Sequence, residues 1–243
     1  MKTPAKASRI ASEFKYKQFE GEVILWSVRW YSQFALSYRD LVIRATERGL
    51  SVAHTTLMRW VHEYSPKLEK KVKAHLKKSN DSYRVDETYI KIKGEWKYLY
   101  RAVDSKGDTL DWMLSATRSK EAAQRFFKKM LGNKHCRSPR VLNVDKAKAF
   151  PPAFEESQRE KVLPTTTTLR QQKYLNNIQE QDPRFTKRRV RHSQGFQSFH
   201  TAKWTIAGYE TLQMIRKGQV KNLAAKDVLG QIKFINKLFG IAA

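Results

Sequence analysis

Cysteine and long apolar runs are nearly absent from this 243-residue chain, and each shortage excludes a class of protein. The single cysteine, Cys136, excludes an internal disulfide framework, and with only His135 beside it one thiol is too little for a structural zinc site. No apolar run is longer than the four residues from Val23 to Trp26, so we expect no membrane span. The basic N-terminus lacks the apolar core of a secretory signal, and we therefore expect a reduced, cytoplasmic protein.

Acidic residues are scarce as well. The chain has 48 Lys and Arg residues and 23 Asp and Glu residues, which gives a net charge of +25. Such an excess attracts polyanions, so nucleic acid is the expected partner, and a solvated basic surface without a specific partner is the weaker alternative. The length and the 40% hydrophobic content are sufficient for a sizeable core in one large domain or two smaller ones.

Two aspartates occupy strand positions that are unusual for this residue. Residues 83–103 alternate between apolar and polar side chains around Lys93-Gly94, which predicts two strands joined by a hairpin. Asp86 lies inside the first strand, and is either a solvent-facing acid or a site carboxylate held by a metal ion. Asp145 follows the apolar run 141–144, at a strand end where open sheets place their chemistry.

Three sequence blocks contain these aspartates and a third acid. Asp86 lies in VDETYIKIKGEWKYLYRAVD, Asp145 in NVDKA, and Glu180, 35 positions after Asp145, in KYLNNIQEQD. With the KRR that follows, these blocks resemble the catalytic core of bacterial insertion-sequence transposases with an Asp-Asp-Glu triad, and the best match is insertion sequence family six. The likeness extends to FEGEVILWSVRWY and TIAGYETLQMIRKGQV, and so covers nearly the whole chain.

The resemblance implies that Asp86, Asp145 and Glu180 are catalytic residues and metal ligands of a DNA transposase. Three converging carboxylates repel one another unless a cation neutralises them, and Mg²⁺, with Mn²⁺ as a substitute, suits their oxygen atoms. Two ions about 4 Å apart can activate an attacking oxygen and stabilise a leaving one. In this interpretation Asp86 bridges both ions and the other two acids bind one each. Water attacks first, and the freed 3′ hydroxyl then attacks target DNA.

Residues 1–79 have the pattern of a helix-turn-helix DNA-binding domain. Apolar spacing predicts a packed helix at residues 22–34, a second at 38–49 and a third that Pro66 stops. The lysine-rich residues 67–78 predict a basic connector helix along DNA, with a solvated linker as an equal alternative.

The third helix supplies the expected base and phosphate contacts. Such a motif places its second helix in the major groove, so we expect Thr55 and Arg59, which point away from the apolar stripe, to contact DNA. An ordinary helical hairpin is the alternative. Relatives usually have an Asp cap where this chain has Ala53, so the resemblance implies a helix start weakened by about 1 kcal/mol.

Residues 80–243 are expected to form an α/β catalytic domain with C-terminal helices. Three meander strands, a crossover helix capped by Ser119 and the strand at 141–144 match the ribonuclease-H-like mixed sheet, flanked by helices, that the resemblance implies. Pro151-Pro152 predicts the start of a short helix, and residues 161–168 are the candidate edge strand. A long helix at 199–217 is expected in the core or in a partner interface, since family members act as synaptic oligomers.

A basic strip follows Glu180. Residues 184–192 contain Lys187, Arg188 and Arg189 and no acid, as expected of a surface that neutralises phosphates, with a solvated basic face as the alternative. Pro183 replaces the His that relatives commonly have, and its missing N–H would kink the helix or delay its start, which would displace Glu180.

Three functional interpretations remain open from the sequence. The first is an active transposase that binds the terminal inverted repeats of its element, makes a 3′ nick and transfers the strand into target DNA. Its expected partners are double-stranded DNA and further copies of itself in a synaptic homo-oligomer. The second is a catalytically impaired remnant that only binds DNA. The third is a metal-dependent nuclease of the same fold, which cuts without joining. No small-molecule substrate is expected in any of them.

Overall fold

The structure is a computed structural model that describes residues 12–145, 147–171, 189–190 and 195–241. A short 3₁₀ helix, Ser12–Phe14, begins the described chain. The elements that follow are α1 (Gly21–Gln33), α2 (Tyr38–Thr46), α3 (His54–Lys73), β1 (Ser82–Ile92), β2 (Glu95–Asp104), β3 (Thr109–Ser115), α4 (Lys120–Leu131), β4 (Val141–Val144), α5 (Phe150–Arg159), β5 (Thr168–Gln171), α6 (Phe199–Arg216) and α7 (Val228–Leu238). Within these ranges, no helix has the length and apolar character needed to cross a membrane.

The five strands form one mixed sheet in the order β3-β2-β1-β4-β5. β1, β2 and β3 are antiparallel neighbours, whereas β4 is parallel to β1 and β5 is parallel to β4. Lys93 and Gly94 both have positive φ, 49° and 84°, as a two-residue hairpin loop requires. α4 forms the crossover connection from β3 to β4. The expected α/β class and the mixed sheet flanked by helices are confirmed.

Each face of the sheet is covered by its own layer of helices. On one face, α4 and α5 bury an aromatic-rich core around Tyr83, Tyr100 and Phe126. On the other face, Ile90, Leu99 and Trp112 share a core with α1, α3, α6 and α7. A single apolar core joins the N-terminal helices to the sheet. The division into domains at residue 79 stays a prediction.

Pro66 does not stop the third helix, and this prediction is wrong. α3 continues through Pro66 to Lys73, so it includes much of the predicted connector. A proline inside a helix costs about 3 kcal/mol. Beyond Pro66, Leu68 and Val72 are both buried, and burying two such side chains contributes about 1.5–3 kcal/mol each. Packing in the shared core therefore offsets the cost of the proline.

The edge strand lies later than residues 161–168. Lys161 has a positive φ of 57°, and the N–H groups of Val162 and Leu163 both donate to the carbonyl of Ser157. These residues therefore close the end of α5 and do not pair with the sheet. The edge strand is β5, which begins at Thr168.

Helix starts follow the capping chemistry of the sequence. Ser119 Oγ accepts a hydrogen bond from the Ala122 N–H at the start of α4, as predicted. Ser37 and Asp40 form a reciprocal capping box on α2, whereas Ala53 gives α3 no side-chain cap. The start of α3 therefore depends more on packing than the start of α2 does.

The predicted helix at residues 199–217 is confirmed as α6, and it belongs to the core. Its residues from Thr205 to Ile215 are all buried. α6 packs against α1 and α3 and also contacts β3. The free surface of α6 therefore lies mainly before Thr205, where Trp204 is 39% exposed, and a role for the helix in an oligomer interface stays a prediction.

Candidate active site

The parallel pairing of β1 with β4 brings two of the three predicted acids together. Val85 lies opposite Val144 in this pairing, and the next residues along the two strands are Asp86 and Asp145. Paired strands are about 4.8 Å apart, so the two aspartates come from adjacent positions on neighbouring strands. Both are half-buried. Asp145 Oδ1 also accepts a hydrogen bond from the Ala147 N–H at 3.0 Å, which orients its carboxylate where β4 ends.

The third predicted acid, Glu180, lies outside the described residues, as do Pro183, Lys187 and Arg188. Among the residues that the structure does describe, no group of three or more His, Cys, Asp or Glu side chains could hold a metal ion. The paired aspartates nevertheless provide hard oxygen donors of the kind that Mg²⁺ prefers. They fit two of the three positions of a carboxylate metal site.

The strand opposite Asp86 is anchored to α6 by a buried ion pair. Arg101 is the cross-strand neighbour of Asp86 on β2. Its Nε donates to Glu210 Oε2 on α6 at 2.9 Å, and its Nη2 donates to Thr109 Oγ1 at 2.8 Å. Arg101 is 5% exposed and Glu210 is fully buried. The sheet beneath the candidate site is thus tied to the helical layer by charge as well as by packing.

A second buried acid, Glu87, lies beside Asp86 on the opposite face of β1. Arg118 Nε is 2.6 Å from Glu87 Oε1. Burial raises the pKa of Glu87, the Arg118 charge opposes the rise, and the nearby charges of Asp145 and Asp86 add to it. The Glu87–Arg118 pair is not among the predicted site residues. Strand alternation could have placed Glu87 on a covered face, but no sequence signal identifies Arg118 as its partner.

The predicted DNA contacts on α3 are on the protein surface. Thr55 and Arg59 are exposed and lie one helical turn apart near the start of α3. Leu57, Trp60 and Val61 face the core, so the outer side of α3 remains accessible. A role for Thr55 and Arg59 in DNA binding stays a prediction.

Arg189 is in the core, and its predicted contact with phosphate is corrected. Only 2% of Arg189 is exposed. Its guanidinium lies 5.0 Å from the ring centre of Tyr209 and 5.5 Å from that of Tyr31, and it donates to the Tyr31 carbonyl. A guanidinium stacks well on aromatic rings, so an arginine in a basic run can be buried against aromatic side chains of the core. No local pattern in the sequence distinguishes the buried Arg189 from the other basic residues of the run.

Comparisons with known proteins show which family this chain resembles. A family model described as a DDE domain matches residues 80–219. The transposase for insertion sequence-like element IS431mec of Staphylococcus aureus is 40% identical over 211 residues, which cover 86% of this chain and 91% of that protein. The Staphylococcus aureus transposase for insertion sequence element IS257 in transposon Tn4003 matches with the same identity and coverage.

Among solved structures, the simian T-cell lymphotropic virus intasome in complex with the PP2A regulatory subunit B56 gamma contains a similar chain. The similarity is distant, with 11% sequence identity and a TM-score of 0.43, and it covers 78% of this chain and 65% of that chain. The sequence relatives and the family model are much stronger evidence. On that evidence, this chain belongs to the DDE-domain transposases of insertion sequences, in insertion sequence family six.

Proposed function

We propose that the protein binds the terminal inverted repeats of its insertion sequence and catalyses metal-dependent 3′ nicking and strand transfer into target DNA. The observation that carries this proposal is the pairing of Val85 with Val144, which sets Asp86 beside Asp145 on neighbouring strands. Asp145 follows the end of β4, where open sheets position side chains for chemistry on a ligand, and Asp86 lies beside it inside β1. Membership of a transposase family supports DNA as that ligand.

Asp86, Asp145 and Glu180 are the proposed ligands of two Mg²⁺ ions, with Mn²⁺ as a substitute. When bound, the ions would activate the attacking oxygen and stabilise the leaving oxygen of an in-line displacement at phosphorus. The chain itself contributes positioning. Asp86 is held within β1 by pairing with β2, and Asp145 is oriented by the Ala147 N–H. Two of the three ligands therefore need little reorganisation when substrate arrives.

DNA recognition is assigned to the helical N-terminal part. Thr55 and Arg59 are exposed on α3 and are proposed to contact the element ends, with Lys187 and Arg188 on the phosphate backbone. The net charge of +25 supports binding of both element ends and target DNA. We propose that the protein acts in the bacterial cytoplasm at the nucleoid, as a homo-oligomer that holds two ends together.

A joining assay tests the proposal. Purified full-length protein is incubated with labelled candidate element ends, a target plasmid and Mg²⁺, and joined product is quantified. We expect joined product that disappears with EDTA and that requires a terminal-repeat sequence. Cut ends without joined product would favour the nuclease, and specific binding without cleavage would favour the impaired remnant.

A further inference from the structure

The β1–β2 hairpin carries an exposed aromatic cluster that the proposed chemistry does not use. Tyr89 is 48% exposed and Trp96 is 59% exposed. Tyr98 lies opposite Tyr89 in the pairing of the two strands. The Tyr89 ring centre is 5.4 Å from that of Tyr98 and 6.3 Å from that of Trp96, both in edge-on geometry. The three rings therefore form one continuous aromatic surface.

Cations lie at the border of this aromatic surface. Lys91 Nζ is 5.7 Å from the ring centre of Trp96, and Arg118 is 5.6 Å from that of Tyr89. Arg118 Nη1 also donates to the Tyr89 hydroxyl at 2.7 Å, while its Nε pairs with Glu87. Tyr89 is thereby fixed in place, and the surface combines apolar rings with positive charge.

In the part of the chain that the structure describes, the architecture leaves Tyr89 and Trp96 exposed and Tyr98 half-buried. Glu87 and Tyr100, on the same face, are buried in the region that α4 covers. The pairing of β4 with β1 ends at Val85, and β1 continues to Ile92. The exposed rings thus lie on the part of the hairpin that extends past the end of β4. Tyr89 is three residues from Asp86, which is about 10 Å along the strand, and its side chain is on the opposite face of β1.

We propose that Tyr89, Tyr98 and Trp96 form a stacking platform for unpaired bases of the bound DNA. This inference rests on the proposed function, because it takes DNA as the substrate. Aromatic rings stack on the faces of bases, and neighbouring cations attract the phosphates that link them. Bases inside a duplex already stack on each other, so the platform selects a base that has left the duplex. The cationic border favours nucleic acid over an apolar protein partner.

The test measures binding to a single-stranded overhang without catalysis. Full-length protein in EDTA is titrated with a blunt duplex and with the same duplex carrying a short 3′ overhang that contains 2-aminopurine. Affinity is measured by anisotropy, and stacking by quenching of the 2-aminopurine fluorescence. The variants are Trp96→Ala, Tyr89→Ala and the conservative Trp96→Phe. Tyr16→Ala is the matched control, because Tyr16 is 91% exposed and has Lys15 Nζ 5.0 Å from its ring centre.

We expect Trp96→Ala and Tyr89→Ala each to weaken overhang binding by between about 5-fold and 150-fold, the range for losing one base stack. In these two variants quenching should fall together with overhang affinity, whereas their affinity for the blunt duplex should stay within about 3-fold of the parent. The overhang affinities of Trp96→Phe and Tyr16→Ala should also stay within about 3-fold of the parent. Equal losses on blunt and overhang DNA, or unchanged overhang binding, would overturn the platform. A change in oligomer mass on light scattering with unchanged overhang affinity would instead assign the surface to a second copy, which also overturns it.

These outcomes are independent of the joining assay. A parent protein that stacks on the overhang but never joins DNA would contradict the proposed function and leave the platform intact. A parent that joins DNA, with the alanine variants binding the overhang like the parent, would contradict the platform alone.

Discussion

Arg101 Nε lies 2.9 Å from Glu210 Oε2, and both side chains are buried between the sheet and α6. Arg101 is also the cross-strand neighbour of Asp86, so this ion pair joins the strand beside the candidate site to the most deeply buried helix. Two buried charges lose their hydration, and their attraction compensates only while both remain.

Replacing Glu210 tests how much the fold depends on this pair. Glu210→Gln removes a buried negative charge 2.9 Å from Arg101 Nε, and we expect the free energy of unfolding to fall by about 3–5 kcal/mol in urea denaturation. The control is Glu156→Gln, which removes a more exposed carboxylate 3.1 Å from Lys120 and should change stability by less than about 1 kcal/mol. Similar losses of unfolding free energy in the two variants would show that the buried Arg101–Glu210 pair contributes no more to stability than the more exposed pair does.

Asp111 should make the protein sensitive to acid. It is fully buried, and burial raises its pKa, but Lys129 at 2.6 Å and Lys73 at 3.2 Å hold the pKa below the ordinary value of 3.8. A carboxylate with a depressed pKa contributes stability that is present above its unfolded pKa and lost as the pH falls through its folded pKa.

The measurement is urea denaturation of the parent and of Asp111→Asn between pH 7 and pH 3. We expect the variant to be less stable at pH 7, because Lys73 and Lys129 lose their shared carboxylate. Below about pH 4 the stability of the parent should fall more steeply than that of the variant. Parallel stability curves across this range would contradict the role assigned to Asp111.

Asp86→Asn and Asp145→Asn should each abolish DNA joining. Each change removes a proposed metal ligand and no proposed phosphate contact, so DNA affinity should stay within a few-fold of the parent, as measured by anisotropy. Asp81→Asn is the control, since Asp81 is an exposed aspartate five positions before Asp86 and should retain joining. Joining by Asp86→Asn at the parental rate would remove the triad assignment.

Arg59→Ala should weaken binding to the element ends more than binding to random DNA. Loss of a base contact costs about 1–3 kcal/mol on the specific sequence, whereas loss of a phosphate contact weakens all sequences alike. Lys70→Ala, an exposed change further along α3, serves as the comparison and should affect both DNAs equally. If Arg59→Ala also affects both equally, Arg59 is a backbone contact.

Pro183→His should raise Mg²⁺-dependent joining at least several-fold. If a helix carries Glu180, Pro183 has no N–H to donate to the carbonyl of Gln179, and catalytic geometry tolerates only about 1 Å of misplacement. Single-turnover joining rates of the two proteins give the comparison. A parent already as fast as Pro183→His would show that the proline does not displace Glu180.

Local patterns in the sequence determined much of this fold. Alternation and the Lys93-Gly94 turn predicted the hairpin, Ser119 predicted the start of α4, and the apolar run before Asp145 predicted β4. Each of these features depends on residues close together in the chain, so a short window contains the physical cause. The sequence blocks around Asp86, Asp145 and Glu180 likewise indicate the family without any knowledge of the tertiary structure.

Only the tertiary structure decided which distant groups meet. It paired Val85 with Val144, which placed two aspartates on neighbouring strands, and it joined Glu87 to Arg118. It also carried α3 through Pro66 and buried Arg189 among tyrosine rings, against local expectation. In each case the free energy gained by packing or pairing distant residues exceeds the local preference, and no window of sequence contains both partners.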